Sequence, residues 1–265
     1  MSRIKATFAT LRASNCTALM PYLTIGYPER ESLAALVDAA VAGGADLLEL
    51  GLPFSDPLAD GPTVQASTQR ALANGITLRE CLAQTKGLRE RGVVLPLVLM
   101  GYYNPIYQMG IEAFAAAAAE AGADGVIVPD LPPEEAVALD EALAQHGLDY
   151  IYMLAPTSDE SRLRLVAERA RGFIYLVALV GITGARTTLA DEAASFVARV
   201  RAAVGDEIPL AIGFGIGSAQ AAAEAGALAD GVIVGTALIK RIGDAATAAA
   251  EAEQFIAELR AGLDG

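Results

Sequence analysis

Residues 33–62 read LAALVDAAVAGGADLLELGLPFSDPLADGP. Leu33, Leu36, Val37, Ala40 and Val41 recur at i, i+3, i+4, i+7 and i+8, the stripe of an amphipathic helix with one buried face. Ala42-Gly43-Gly44-Ala45-Asp46 then stops it, because glycine reaches the left-handed conformation that caps a helix. Leu47-Leu48-Glu49-Leu50 follows, apolar but for one carboxylate and without alternation. Such a run fits a parallel strand covered on both faces. Gly51 to Pro62 is a loop stiffened by three prolines, with Asp56 and Asp60 four residues apart.

The same helix–stop–strand–loop unit recurs along the chain. Apolar runs begin near Leu19, Leu47, Pro96, Gly125, Tyr150, Phe173, Pro209 and Gly231. Helix-patterned segments separate them, as at Ala193, Phe196, Val197, Val200 and Val204. Small-residue stops recur at Ala121-Gly122-Ala123-Asp124 and Ala225-Gly226-Ala227. Eight strands alternating with helices over 265 residues predict an α/β fold, the eightfold β/α (TIM) barrel, whose usual length is about 250 residues. An open doubly wound sheet is the rival, but no GxGxxG opens a helix after the first strand. Residues before Leu19 read as an extra N-terminal helix with Phe8 and Leu11 on one side, closing the barrel floor. No linker or composition break divides the chain, so residues 1–265 are expected to form a single domain.

Composition narrows the chemistry. Asp and Glu total 32 against 19 Lys and Arg, a net charge of -13, which argues against nucleic acid or an anionic membrane as partner. No apolar run reaches the ~18 residues of a membrane span, and the start lacks a signal-peptide stretch. The expectation is a soluble cytoplasmic protein. Cys16 and Cys81 are too few for a disulfide framework or a four-thiolate zinc site. His146 is the single histidine, so no multi-histidine metal site can form. It reads as a helix-end residue. Lys5, Lys86 and Lys240 are the only lysines, and all fall in helical segments, whereas an imine-forming aldolase needs one at a strand end in the site.

In β/α barrels reactive groups lie in loops after the strands' C-terminal ends. Glu49 in its apolar strand must point into the barrel or into the helix layer, either being costly unless it is paired or protonated. Burial would raise its pKa and suit it to proton transfer; the alternative is a structural glutamate held by an arginine. Asp56 and Asp60 either carry chemistry or cap turns.

The stretch LLELGLPFSDPLADGP, Leu47 to Pro62, resembles the signature of the tryptophan synthase alpha subunit family. Ordered satellites agree: Pro21-Tyr22-Leu23-Thr24-Ile25-Gly26, Met100-Gly101-Tyr102-Tyr103-Asn104-Pro105, Pro129-Asp130-Leu131-Pro132, Gly181-Ile182-Thr183-Gly184, Gly213-Phe214-Gly215-Ile216 and Gly235-Thr236-Ala237. The resemblance implies a carbon–carbon lyase that splits indole-3-glycerol phosphate by a cofactor-free retro-aldol reaction. It implies catalytic roles for Glu49 in proton traffic, for Asp60 at the indole N–H, and for Tyr175 near the reacting carbons. Tyr175 reads equally well as barrel core.

It also implies that Tyr22, Met100, Tyr102 and Ile127 lie by the indole, each of which core packing would equally explain. Thr183, Gly184, Gly213, Gly215, Gly235 and Thr236 would hold the phosphate. Glycines at strand ends expose backbone N–H groups to an anion, so no lysine is required; tight strand-to-helix packing is the other reading of those glycines. Ala178-Leu179-Val180 departs from the polar residues common in the family, which affects contacts from that loop. A pyridoxal-phosphate beta subunit is the implied partner in an alpha2-beta2 heterotetramer, docked through Pro53, Asp56, Asn104 and Pro132. Pyridoxal phosphate is expected only in that partner. Alternatives are a stand-alone lyase with the same chemistry and a catalytically silent regulatory barrel.

Overall fold

The computed structural model describes residues 2–177, 186–213 and 215–265, with backbone alone for residues 186–190. Its strands are β1 (Ala18–Thr24), β2 (Leu48–Gly51), β3 (Leu97–Met100), β4 (Gly125–Ile127), β5 (Asp149–Tyr150), β6 (Met153–Leu154), β7 (Ile174–Val177), β8 (Leu210–Gly213) and β9 (Gly231–Val234). The helices are α1 (Arg3–Ala13), α2 (Leu33–Ala42), α3 (Pro62–Ala73), α4 (Leu78–Glu90), α5 (Tyr103–Met109), α6 (Ile111–Glu120), α7 (Val137–Gln145), α8 (Glu160–Arg169), α9 (Arg186–Val204), α10 (Ala219–Gly226), α11 (Thr236–Arg241) and α12 (Ala248–Asp264). Among the described residues, no helix is long and apolar enough to cross a membrane.

All strand pairs are parallel, in the order β5-β4-β3-β2-β1-β9-β8-β7-β6. The two ends of that order are one piece of chain, since only Ile151 and Tyr152 separate β5 from β6. Ile151 N–H donates to Val126 O at 2.9 Å, and Tyr175 N–H donates to Tyr152 O at 2.9 Å. Residues 149–154 thus bridge β4 to β7 and curl the sheet into a TIM barrel. The apolar run near Tyr150, expected as one strand, is broken because its first half takes β4's register and its second half β7's.

The two-residue strand period separates two cores. Ala18, Met20, Leu47, Val98, Ile127, Ile151, Phe173, Ala211 and Ile233 fill the lumen, while Leu19, Leu48, Leu50, Leu97, Leu99, Ile174 and Ile212 pack outward on the helices. Burial on both faces explains the unalternating runs. At the floor, α1 is capped by Ser2, which accepts from Lys5 N–H, and inserts Ile4 and Phe8 into the lumen cluster, with Leu11 packed beside them. The Phe8 and Phe173 rings lie 5.9 Å apart, so the N-terminal helix closes the floor as its pattern implies.

The stops between helices and strands have a second use. Asp46, Asp124 and Asp230 each accept an N–H from the strand preceding their own: Leu19, Leu97 and Leu210, all at 2.9 Å. Each is also held by an arginine: Arg260 at 2.9 Å, Arg89 at 2.6 Å, and Arg201. These latches tie neighbouring units at the floor. Gly44 and Gly122 take positive φ, 93° and 80°, as expected of helix stops. Gly226 does not: it ends α10, where a Cβ would lie 2.6 Å from Leu263 of α12, so close helix packing selects it instead.

Candidate functional site

The C-terminal strand ends open into a cavity of about 740 Å³. Register sets what faces it. Glu49 pairs with Tyr22 on one side and Val98 on the other, and Val98 belongs to the lumen, so Glu49 faces the barrel interior rather than the helix layer. It is 2 % exposed, and its Oε2 is buried with no hydrogen-bond partner. Among the described residues no arginine or lysine forms an ion pair with it, so the described structure does not show the arginine-held arrangement. Burial chiefly, and the nearby Asp60 charge secondarily, push its pKa up to about 8, because a low-dielectric wall disfavours the charged form.

Asp60 is held differently. Leu52 N–H donates to Met100 O at 2.7 Å, anchoring the start of its loop. The Tyr102 hydroxyl accepts Ala59 N–H at 3.0 Å and stands near enough to the Asp60 carboxylate to favour its charged form. Gln65 Nε2 donates to Asp60 O at 2.8 Å. Burial raises the Asp60 pKa, and the neighbouring Tyr102 hydroxyl partly offsets this. The turn-capping alternative does not describe Asp60, since Gly61 is the N-cap of α3 and Pro62 follows at its first position. Proline there sacrifices no helical hydrogen bond.

Two tyrosines occupy space that glycines leave on the adjacent strands. A Cβ at Gly51 would lie 2.0 Å from the Tyr22 hydroxyl, and one at Gly213 would lie 2.0 Å from the Tyr175 hydroxyl. The selection at Gly213 is therefore visible as strand-to-strand room for Tyr175. Tyr22 continues into a buried chain, with Thr24 Oγ1 3.4 Å from its hydroxyl and 2.8 Å from Ser67 Oγ. Burial raises the pKa of Tyr22, Tyr102 and Tyr175, so all three stay protonated at neutral pH.

Of the candidate site residues singled out in the sequence, the cavity is lined by Tyr22, Glu49, Asp60, Met100, Pro132, Tyr175, Gly215, Gly235 and Thr236, and not by Gly213. Ile127 lies in the lumen core, fully buried. Tyr102 stands behind Asp60 and is not among the lining residues. Thr183, Gly184 and the 178–180 stretch fall outside the described residues, as does Phe214. Gly215 has φ +82°, a conformation that glycine adopts without strain. Asp56, Asn104 and Pro132 are exposed and Pro53 half-buried. His146 is the C-cap of α7, as its helix-end pattern implies. Among the described residues, no three His, Cys, Asp or Glu side chains gather into a metal-sized group.

Sequence reasoning missed two features. Tyr102's hydrogen bond to Ala59 N–H, beside Asp60, joins separate loops, and neither loop alone signals it. Lys240 and Arg162 also line the cavity. Lys240 had a signal, because it follows Thr236 by four residues on a helix and so shares its face.

The family model described as tryptophan synthase alpha chain matches residues 8–263. The tryptophan synthase alpha chain of a Roseiflexus species is 53% identical over 262 residues, 98% of this chain and 100% of that one. The Chloroflexus aurantiacus alpha chain is 53% identical over 242 residues, 91% of this chain and 90% of that one. Among solved structures, tryptophan synthase subunit alpha from Legionella pneumophila superposes with a TM-score of 0.92 at 38% identity, covering 100% of this chain and 99% of that one.

Proposed function

The chain belongs to the tryptophan synthase alpha chain family, and we propose that Glu49, Asp60 and Tyr175 perform that family's reaction here. It is a carbon–carbon lyase of tryptophan biosynthesis, cleaving indole-3-glycerol phosphate to indole and D-glyceraldehyde 3-phosphate. Glu49 starts protonated and gives its proton to indole C3, which places positive charge on the ring nitrogen. Asp60, anionic, accepts the indole N–H and stabilises that charge as it develops. Glu49, now a carboxylate, takes the proton of the hydroxyl next to C3. The C=O forms, the carbon–carbon bond breaks, its electrons restore the aromatic ring, and Glu49 ends protonated again. Tyr175, neutral and held across Gly213, offers a hydroxyl beside the reacting carbons. Each proton moves between Glu49 and the substrate, and the electrons of the broken carbon–carbon bond stay in the indole ring, so no cofactor enters the scheme.

One observation supports this division of labour above the others: Glu49 is a buried carboxyl with no cation paired to it among the described residues, beside a second carboxylate, Asp60, that raises its proton affinity further. Two acids in unlike surroundings acquire unlike proton affinities. Steady-state indole formation by the wild type, Glu49→Gln and Asp60→Asn tests it. Both variants are expected to lose activity, and either one turning over at the wild-type rate would remove its residue from the scheme.

In the proposed pose the indole lies against Tyr22 and Met100, above Ile127. The phosphate lies at the ends of β8 and β9, against backbone N–H groups of Gly213, Gly215 and Gly235 and the Thr236 hydroxyl. Thr183 and Gly184 rest on the resemblance alone. The six residues of α11 make a short dipole, so individual N–H groups rather than a long helix would do the holding.

The family works with a beta subunit. The proposed docking face comprises Pro53, Asp56, Asn104 and Pro132, with Leu58, 89% exposed, in the loop that also carries Asp60. The shared loop would let the partner tune catalysis within an alpha2-beta2 assembly in the cytoplasm, the chain acting as one barrel unit and pyridoxal phosphate residing in the partner. Indole release measured with and without the beta subunit checks this coupling, which an unchanged rate would refute.

A further inference from the structure

We propose that Lys240 is a substrate-binding residue whose ammonium meets the phosphate of the incoming substrate at the β9–α11 rim. The inference rests on the lyase reading above and adds a cation that composition and sequence had left out of the site. Lys240 lines the cavity together with Gly235, Thr236 and Ala237. Thr236 and Lys240 stand four residues apart on α11, so their side chains share one helix face. The aliphatic stem can lie along the wall while the head stays in water, in keeping with the residue's exposure.

Two facts about charge single this lysine out. The other lining cation, Arg162, is occupied: its Nε and Nη2 donate to Glu134 at 2.9 and 3.2 Å. Lys240 forms no ion pair among the described residues, whereas Lys86, for example, is bound to Glu120 at 2.8 Å. The chain as a whole carries a net charge of -13, so a dianionic phosphate approaches against the overall field. A single mobile positive charge at the rim, acting within a Debye length of about 8–10 Å, gives that approach a local attraction. Lysine suits the task, being a compact charge on a flexible stem that can follow a ligand inward. Backbone N–H groups then fix the phosphate's position, and Lys240 supplies the charge they lack.

The test is steady-state indole formation by the full chain with its beta subunit, at low and high salt, for four proteins: wild type, Lys240→Gln, Lys240→Arg and Lys86→Gln. Lys240→Gln should raise KM for indole-3-glycerol phosphate about three- to tenfold with kcat within about twofold, the range of a solvent-exposed contact. It should also weaken inhibition by inorganic phosphate, leave inhibition by indole unchanged and flatten the salt dependence of kcat/KM. Lys240→Arg should restore KM to within about twofold. Lys86→Gln removes the same charge far from the site and should leave KM unchanged. An unshifted KM in Lys240→Gln, or an equal shift in Lys86→Gln, overturns the inference while wild-type turnover upholds the lyase reading. A wild type that releases no indole overturns both.

Discussion

The floor and the mouth of the barrel treat carboxylates in opposite ways. At the floor, Asp46, Asp124 and Asp230 each meet an arginine, and each also clasps a strand N–H. At the mouth, neither Glu49 nor Asp60 has a cation within ion-pair distance among the described residues. The same functional group is thus a latch at one end and a proton carrier at the other. Pairing neutralises a buried charge and fixes geometry, but it also holds the acid ionised. Withholding the cation leaves burial to set the proton affinity, which is what acid catalysis near neutral pH requires. Conserving strand connections at one end and chemistry at the other matches the division of labour in β/α barrels.

The contrast breaks most visibly at Glu49. Glu49→Gln is expected to lower kcat by on the order of 10²–10⁴ while the fold persists, as read by indole release and far-UV circular dichroism. Wild-type kcat/KM should fall above about pH 8 as Glu49 loses its proton. It should also fall on the acid side as Asp60 gains one, above the ordinary aspartate range. A profile flat from pH 7 to 9.5 would contradict the assignment.

Asp124→Ala probes the floor. It strands Arg89, whose side chain is 14% exposed, and should cost about 3 kcal/mol of stability, read as a lower denaturant midpoint. The surviving folded fraction should keep its KM and kcat; a variant that loses catalysis but not stability would erase the distinction between the two ends.

A third test joins them. Glu49 binds its proton more tightly folded, near 8, than its ordinary value of 4.5. Its contribution to stability is therefore fully present below about pH 4.5 and lost as pH rises through about 8. Within that window the slope from this group approaches about 1.4 kcal/mol per pH unit, and Glu49→Gln should remove it. Wild type and variant with the same pH dependence of unfolding would contradict this. The smallest effect is expected for Tyr102→Phe, which deletes the hydroxyl that holds the N–H of Ala59, the residue next to Asp60. A loss of one hydrogen bond of about 1 kcal/mol corresponds to roughly fivefold in kcat/KM, with stability nearly unchanged.

What could be read in advance follows from how local each cause is. Strand starts near Leu47, Gly125 and Gly231 were legible because a strand buried on both faces writes itself as an uninterrupted apolar run. Glu49 was legible for the same reason: it interrupts such a run. The break between β5 and β6 was not, since the run through Tyr150 and Leu154 is continuous in hydropathy and splits only because two neighbours impose two registers. Gly213 illustrates the same limit at the site. Its meaning lies in the Tyr175 hydroxyl, which reaches it across the sheet and leaves no mark on the residues beside it. Asp46 and Asp124, read only as parts of helix stops, and Asp230, not singled out at all, became latches once their arginine partners on distant helices were in place.

The account of the mouth turns on one quantity, the proton affinity of the Glu49 side chain. Carboxyl ¹³C NMR of the glutamate-labelled chain, with the Glu49→Gln spectrum identifying the resonance, measures it without reference to turnover. A titration midpoint near 8 is expected, and a midpoint at or below about 5 would contradict the proposal that burial at the lumen wall keeps Glu49 protonated for catalysis.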